Sequence, residues 1–382
     1  MLKRIALITD GIWPYVIGGM QKHSYYLCKY FAANQIHVDL IHFNKSDHDI
    51  NKLEFFSEKE KEYIHPTIVE MPVSMGFPGH YLFNSYKHSK LIFKFLKPKL
   101  DQYDLIYTKG FTGWYLIAQK YKGHINCCKI GVKFHGYEMF QSTPGIVSGL
   151  KALLLKGPVK KINRRADIVF SYGGKITELI RSLGVKNSNI IECPSGIEEE
   201  FIAQTIKPTD DKKGFLFLGR YERRKGVEEL NSALEELILK HKNEFEFHFI
   251  GAIPEDKKVK NVQVVYHGEI RDRNILLEKM RYCDVLVCPS FSEGFPNVIL
   301  EAMSNGLAVA ATHIGAVDLL VNKEVGWVIE SAEPNNILKT LDQIISENKI
   351  SVDKKKQKAI NKIKEGFVWN KLIKSLIKKI FP

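Results

Sequence analysis

The sequence predicts two α/β domains, each a doubly wound parallel sheet with helices on both faces. Three observations predict it. The chain has 382 residues, too many for one ordinary core. Short β-branched runs alternate with longer helical patterns from end to end. A polar stretch containing Pro and Gly, QTIKPTDDKKG at 204–214, splits that alternation into two series and reads as a linker.

In the first series the strand candidates are RIALITD (4–10), HVDLIHF (37–43), DLIYTKG (104–110), KIGVKFHG (129–136), DIVFSYG (167–173) and NIIECPS (189–195). In the second they are FLFLGR (215–220), FEFHFIG (245–251), VQVVYHG (262–268), DVLVCPS (284–290), AVAAT (308–312) and GWVIE (326–330). Helical patterns lie between most of them, at 20–33, 174–183, 227–241, 272–281 and 297–305. Continuously apolar strands belong to sheets buried on both faces. Ligands then bind at the carboxyl ends of the strands, so a cleft between two such sheets is the expected site. Two regions interrupt the regularity. Residues 44–103 are polar and then basic-aromatic, and the last thirty residues carry ten Lys against two acids. The chain ends in FVWNKLIKSLIKKIFP, the pattern of an amphipathic helix with a Lys-rich face.

Composition is that of a globular protein, with 45% hydrophobic residues and a formal net charge of +13. The charge favours an anionic partner: a nucleotide, a nucleic acid or an acidic lipid surface. It is dispersed and accompanied by no groove-reading motif, which argues against nucleic acid. Basic segments 87–99 and 371–379 suit an anionic membrane surface, or the solvated faces of packed helices. Six cysteines form no C-x-x-C pair and no metal spacing, as in a protein of the reducing cytosol. The start, MLKRIALITDG, is too short in its apolar part for a signal sequence and reads as a buried strand. No run approaches the roughly 18 to 20 apolar residues that span a bilayer. The expectation is a cytoplasmic protein, peripheral on the inner face of the membrane if those basic segments meet lipid.

Four segments carry chemistry. In PSFSEGFPNVILEAMSNG (289–306), a strand is followed by a loop with Glu293, then by a helix bearing Glu301. The helix start offers unpaired N–H groups and positive dipole to an anion, and a carboxylate accepts two hydrogen bonds from vicinal sugar hydroxyls. In FLFLGRYERRKGVEEL (215–230), Arg220 and Lys225 follow a strand end and can neutralise a diphosphate, beside Arg223 and Arg224 as solvated neighbours. In KFHGYE (133–138), His135 ends an apolar strand. In PYVIGGMQKH (14–23), Gly18 and Gly19 let the main chain approach a ligand ahead of a helix. Taken singly, each is also an ordinary turn or surface feature. Asp47-His48-Asp49 spells D-x-D but lies in a polar loop, and no metal site is expected. Neither G-x-x-x-x-G-K-[ST] nor an opening G-x-G-x-x-G occurs, which removes the central device of a kinase or dehydrogenase.

Together, and in this order, the segments resemble the retaining, nucleotide-sugar-dependent glycosyltransferases of the GT-B fold, glycosyl transferases group 1. G-R-x4-K-G opens the second series, and Glu293 and Glu301 match the E-x7-E motif. The resemblance implies an acceptor-binding Rossmann-like domain over 1–203, joined by a crossing helix at 367–382. It implies a nucleotide-sugar-binding domain over 215–366. Arg220 and Lys225 would hold the donor diphosphate, Glu301 the ribose, and Glu293 the donor sugar with main chain at Gly294, Phe295, Pro296 and Asn297. His135 would contact the sugar 6-hydroxyl, Gly18 and Gly19 would line the phosphate, and Gly268, Glu269 and Ile270 would edge the base. No cofactor or metal is implied. The donor would be a UDP-hexose, then GDP-mannose, and the acceptor a glycan or glycolipid of cell-surface polysaccharide or lipopolysaccharide. The chain departs from the family pattern at Ala316 and Asp318, where Gly and Glu are usual, and at Ser195, where Asn is common. The rival reading is a membrane or anionic-ligand binder on the same fold without transferase activity. A phosphorylase-like enzyme would need a pyridoxal-binding Lys segment and a far longer chain.

Overall fold

Two wholly parallel sheets, of seven and six strands, organise the described residues. The computed structural model describes residues 3–16, 18–43, 49–72, 80–141 and 146–382. Asp47 and His48 of the D-x-D triplet lie outside them. By contact density the chain forms two units. One comprises Met1–His135, Leu150–Pro194 and Trp369–Pro382; the other comprises Gly136–Gly149 and Ser195–Val368. Residues 195–203 group with the second unit, where Ile197 bridges Val368 and the Ala203 N–H donates to the Ser304 carbonyl at 2.8 Å.

The first unit begins with β1 (Arg4–Ile8), α1 (Gly19–Ala33), β2 (His37–His42), α2 (Glu58–Lys61) and β3 (Ile64–Ile68). It continues with α3 (His80–Leu96), β4 (Leu105–Lys109), α4 (Trp114–Tyr121) and β5 (Lys129–Lys133). Then come α5 (Ile146–Arg165), β6 (Ile168–Ser171), α6 (Gly174–Ser182) and β7 (Ile190–Glu192). The strand order is β3-β2-β1-β4-β5-β6-β7, which reverses between β1 and β4. Right-handed crossovers therefore put α1 on one face and the helices after β4 on the other. The apolar side of α1, with Leu27, Cys28 and Phe31 fully buried, packs on Ile5, Leu7 and Leu40.

The second unit runs β8 (Lys213–Leu218), α7 (Val227–Lys240), β9 (Phe245–Ile250), β10 (Val264–Tyr266), α8 (Arg273–Tyr282) and β11 (Val285–Cys288). It proceeds through α9 (Asn297–Ser304), β12 (Ala308–Thr312), α10 (Val317–Leu320), β13 (Gly326–Ile329), α11 (Pro334–Ser346) and α12 (Lys349–Gly366). Its order, β10-β9-β8-β11-β12-β13, reverses between β8 and β11. Phe215, Phe245, Phe247 and Phe249 fill its core against Leu230, Leu234 and Leu237 of α7.

The last helix, α13 (Trp369–Ile380), returns to the first unit. Trp369, Ile373, Leu376 and Ile380 are buried there, and Trp369 stacks on Tyr26 with ring centroids 5.1 Å apart. The apolar stripe of this helix is thus a core contact, as the expected crossing helix requires, and Lys374 and Lys378 of the basic segment 371–379 occupy the opposite, exposed side.

Candidate functional site

Parallel sheets leave a crevice where the strand order reverses, because neighbouring crossovers depart to opposite faces there. Each unit gathers its chemically capable residues at that point, on the carboxyl ends of its strands.

In the second unit the reversal lies between β8 and β11, and the loops leaving them meet. The loop after β8 makes a short 3-10 turn over Arg223–Lys225, then Gly226 at φ +70° starts α7. A Cβ on Gly226 would stand 2.1 Å from the Pro289 carbonyl oxygen, so glycine there permits the two loops to touch. The Phe291 N–H donates to the Arg224 carbonyl at 2.7 Å, closing the contact. Across it Lys225 Nζ donates to Glu293 Oε1 at 2.5 Å, and the Ser290 hydroxyl donates to the same oxygen at 2.9 Å. Arg224 reaches Glu293 Oε2 at 3.4 Å. Glu293 is 5% exposed. Burial alone would push its carboxyl up, but Lys225 and then Arg224 outweigh it and hold the group ionised, below the ordinary carboxylate range. Gln141 clamps the loop from both sides, donating to the Glu293 carbonyl at 2.8 Å and accepting from its N–H at 3.2 Å. Gly315, at φ +55° in the loop after β12, lies so close that a Cβ would be 2.0 Å from the Glu293 carbonyl oxygen.

Lys225 and Glu293 are therefore brought together, with Gly294, Phe295 and Pro296 leading directly into α9. Asn297 and Glu301 lie one turn apart on the half-exposed side of α9, away from the buried Ile299 and Leu300. Arg220 is not drawn in: its side chain is 79% exposed and pairs with Glu222 at 2.9 Å. Arg224, expected to be a solvated neighbour, is the arginine that meets Glu293. Arg223 turns the other way, making a two-point ion pair with Glu229. Gly268, Glu269 and Ile270 follow β10 on the same sheet edge. There the Gly251 N–H donates to the Gly268 carbonyl at 2.8 Å, and Glu269 lies 3.5 Å from Arg271.

In the first unit the reversal lies between β1 and β4, and the residue that ends β4 is a buried lysine. Lys109 Nζ sits 2.8 Å from His23 Nδ1 and 3.0 Å from His135 Nε2. An amine donating to both makes those the lone-pair nitrogens, so His135 carries its proton on Nδ1, facing the Tyr172 hydroxyl oxygen. Burial, followed by Lys109 and Lys133, pushes both histidines well below the usual imidazole range. Burial and then Lys133 lower Lys109 in turn. His135 thus has both ring nitrogens engaged within its own unit. Gly18 caps α1 ahead of Gly19, five residues before His23, and its carbonyl accepts the Lys22 N–H at 2.9 Å.

Lys133, at the end of β5, is fully buried, donates to the Cys193 carbonyl and lies 3.8 Å over the Tyr172 ring. Burial pushes its amine down to about 8. Between that value and the ordinary lysine value of about 10.5, the unfolded chain binds more protons than the folded one, so stability rises with pH. Measured by urea unfolding, wild type should gain about 2–3 kcal/mol relative to Lys133→Met between pH 7 and 10. A flat or falling difference would show that the amine is not depressed.

Sequence reasoning missed Arg224, Ser290 and Gln141, because which side chains of a loop turn inward is not encoded in spacing. For Lys109 a signal existed: a lysine ending an apolar strand, in DLIYTKG. Among the described residues no group of three or more His, Cys, Asp or Glu side chains is gathered for a metal. Nor is any helix among them long and apolar enough to cross a membrane.

Residues 17–201 match the family described as Glycosyltransferase Family 4, and residues 212–347 match Glycosyl transferases group 1. An uncharacterized glycosyltransferase of Methanocaldococcus jannaschii is 25% identical over 338 residues, 84% of this chain and 87% of that protein. The N,N'-diacetylbacillosaminyl-diphospho-undecaprenol alpha-1,3-N-acetylgalactosaminyltransferase of Campylobacter jejuni is 23% identical over 48% of this chain and 52% of its own. Among solved structures, sucrose-phosphate synthase from Thermosynechococcus elongatus superposes with a TM-score of 0.77 at 17% identity, covering 99% of both chains. The architecture is GT-B: two Rossmann-like parallel-sheet domains.

Proposed function

We propose that this chain is a group 1 glycosyltransferase of the GT-B fold and moves a hexose from a nucleoside diphosphate sugar to a hydroxyl of a glycan or glycolipid. A UDP-hexose is the first choice of donor and GDP-mannose the second. The observation that carries the reading is the buried Glu293 carboxylate, kept ionised between Lys225 and Arg224 at the reversal of the second sheet. A carboxylate fixed beside two cations can accept sugar hydroxyls while the cations face phosphate oxygens.

In the proposed reaction the bond between the anomeric carbon and the β-phosphate oxygen breaks, and the acceptor oxygen bonds the same face of that carbon. The acceptor proton passes to the departing phosphate oxygen, and because the new bond forms on the face the old one leaves, the configuration is retained. Charge growing on the diphosphate is met by Lys225 and Arg220, Arg220 swinging in from its exposed position, and by the main-chain N–H groups at the start of α9. Glu301 takes the ribose hydroxyls, and Gly268 to Ile270 edge the base. His135 exchanges Tyr172 for the sugar 6-hydroxyl at Nδ1, while Gly18 and Gly19 line the phosphate. The acetylgalactosaminyltransferase relative, whose name gives a diphospho-undecaprenol-linked sugar as acceptor, supports a lipid-linked glycan as the acceptor here.

The test is a screen of UDP- and GDP-hexoses for nucleotide release, with the product's anomeric configuration read by NMR. We expect one donor class to turn over, with retention, and with the rate unchanged by EDTA. Inversion would overturn the same-face step, and a rate abolished by EDTA and restored by magnesium or manganese would overturn metal independence. Donor binding without turnover across a panel of acceptors would favour the nonenzymatic binder.

A further inference from the structure

Helix α3, which leads into β4, and the helices after β4 cover one face of the first sheet, and two of them present large apolar side chains outward. The inward side of α3 consists of Asn84, Ser85, His88, Ser89, Ile92 and Leu96. Its outward side presents Phe83 at 43% exposure, Leu91 at 41% and Tyr86 at 39%, with Lys87, Lys90 and Lys94 among them. A helix that only needed to pack would bury the aromatics and expose the serines. From Leu150 onward α5 buries one apolar side and exposes a second. Ala152, Val159 and Ile162 face inward, while Leu150, Leu153 and Leu154 form an outward stripe exposed by 65%, 62% and 56%. Lys156, Lys160 and Lys161 are exposed beyond it. The two helices share a layer: α3 packs on α4, and Trp114, Ile117 and Ala118 of α4 enclose a small cavity with Lys161, Ile162 and Arg165 of α5.

Charge identifies the occupant. α3, α4 and α5 hold ten Lys and Arg and not one Asp or Glu. We propose that this layer docks flat on an anionic lipid bilayer, the leucines and aromatics entering the headgroup boundary and the lysines meeting lipid phosphates and carboxylates. A second copy of the chain would bring the same acid-free face against itself, which like charges oppose. Nucleic acid has no use for a stripe of three leucines. The surface differs from α13, whose apolar stripe is buried, and it goes beyond the transferase reading, since it survives or fails whatever the donor is.

The test is sedimentation of the full chain with phosphatidylcholine vesicles, with and without about one-third phosphatidylserine. We expect at least tenfold more bound protein on the anionic vesicles. Leu150→Glu with Leu153→Glu and Leu154→Glu should lower binding at least tenfold, and Lys87→Glu with Lys90→Glu likewise. Lys374→Glu with Lys378→Glu on α13 should change it less than twofold. All substituted side chains are exposed, so thermal melts should match wild type. Equal binding to both vesicles, leucine variants that bind like wild type, or a face that instead captures single-stranded RNA or forms dimers lost in the leucine variant would each overturn the proposal.

Discussion

Lys225→Ala lowers donor turnover by about 10²- to 10³-fold while the chain stays folded; that is the result the geometry leads us to expect. The side chain is 14% exposed and its ammonium lies 2.5 Å from Glu293 Oε1. Removing it withdraws a fixed charge from the place where the proposed diphosphate gains negative charge. It also leaves the buried carboxylate with Arg224 at 3.4 Å and the Ser290 hydroxyl at 2.9 Å. Burial then weighs more heavily against ionisation, so the acid limb of the pH–rate profile should move upward. Glu293→Gln preserves size and one oxygen acceptor yet removes the negative charge, and should cost a similar factor. Because the two side chains act as a unit, the double variant Lys225→Ala/Glu293→Gln should fall little below either single one. Partial pairing with Arg224 keeps the loss of stability well under the whole of a domain's 5–15 kcal/mol, so a melt separates inactivity from unfolding. Rates within threefold of wild type in either single variant would remove Lys225 and Glu293 from the site.

Why Lys225 and Glu293 were readable, and Arg224 was not, follows from how each is placed. Both predicted residues stand at fixed distances from strand ends and helix starts, where a parallel sheet holds loops in one place. Arg220, Arg223 and Arg224 share a loop of few residues, and the 3-10 turn over Arg223–Lys225 decides which of them faces inward. All twelve strand candidates exist, most of them legible because strands covered on both faces are largely apolar. The strand not foreseen, β3, is IHPTI at the sheet edge, with one side open and a proline that an edge tolerates. Helix α3 was legible only as the basic segment 87–99, for a related reason. Periodicity finds a helix by its buried apolar stripe, and α3 buries Asn84, Ser85, His88 and Ser89 beside only Ile92 and Leu96. The lysine at the end of β4 was read as part of a strand, although burying an amine between His23 and His135 is unusual for a purely structural position.

A loss of about 3–5 kcal/mol is expected from Lys356→Met, the largest stability change of any single substitution considered. Lys356, on α12, and Asp284, at the start of β11, are each 1% exposed and lie 2.8 Å apart. The ammonium also donates to the Lys207 carbonyl at 2.5 Å, and the second carboxylate oxygen accepts the Gly214 N–H at 2.9 Å. The pair thus ties α12 to the entry of β8 and to β11, beneath the two strands whose far ends carry Lys225 and Glu293. Removing the lysine strands a carboxylate out of water with one backbone donor. Stability falls because the acid is left uncompensated, whatever the intact pair contributes. Replacing both partners tests that distinction. In Lys356→Met/Asp284→Asn no charge remains, and the amide oxygen can still accept from Gly214, so at least half of the loss should return. For a unit of this size the single variant should melt about 6–20 °C lower. If the double variant is as unstable as the single one, the pair itself supplies the stability and the buried-charge account fails. If Lys356→Met melts like wild type, the anchor between α12 and the sheet lies elsewhere.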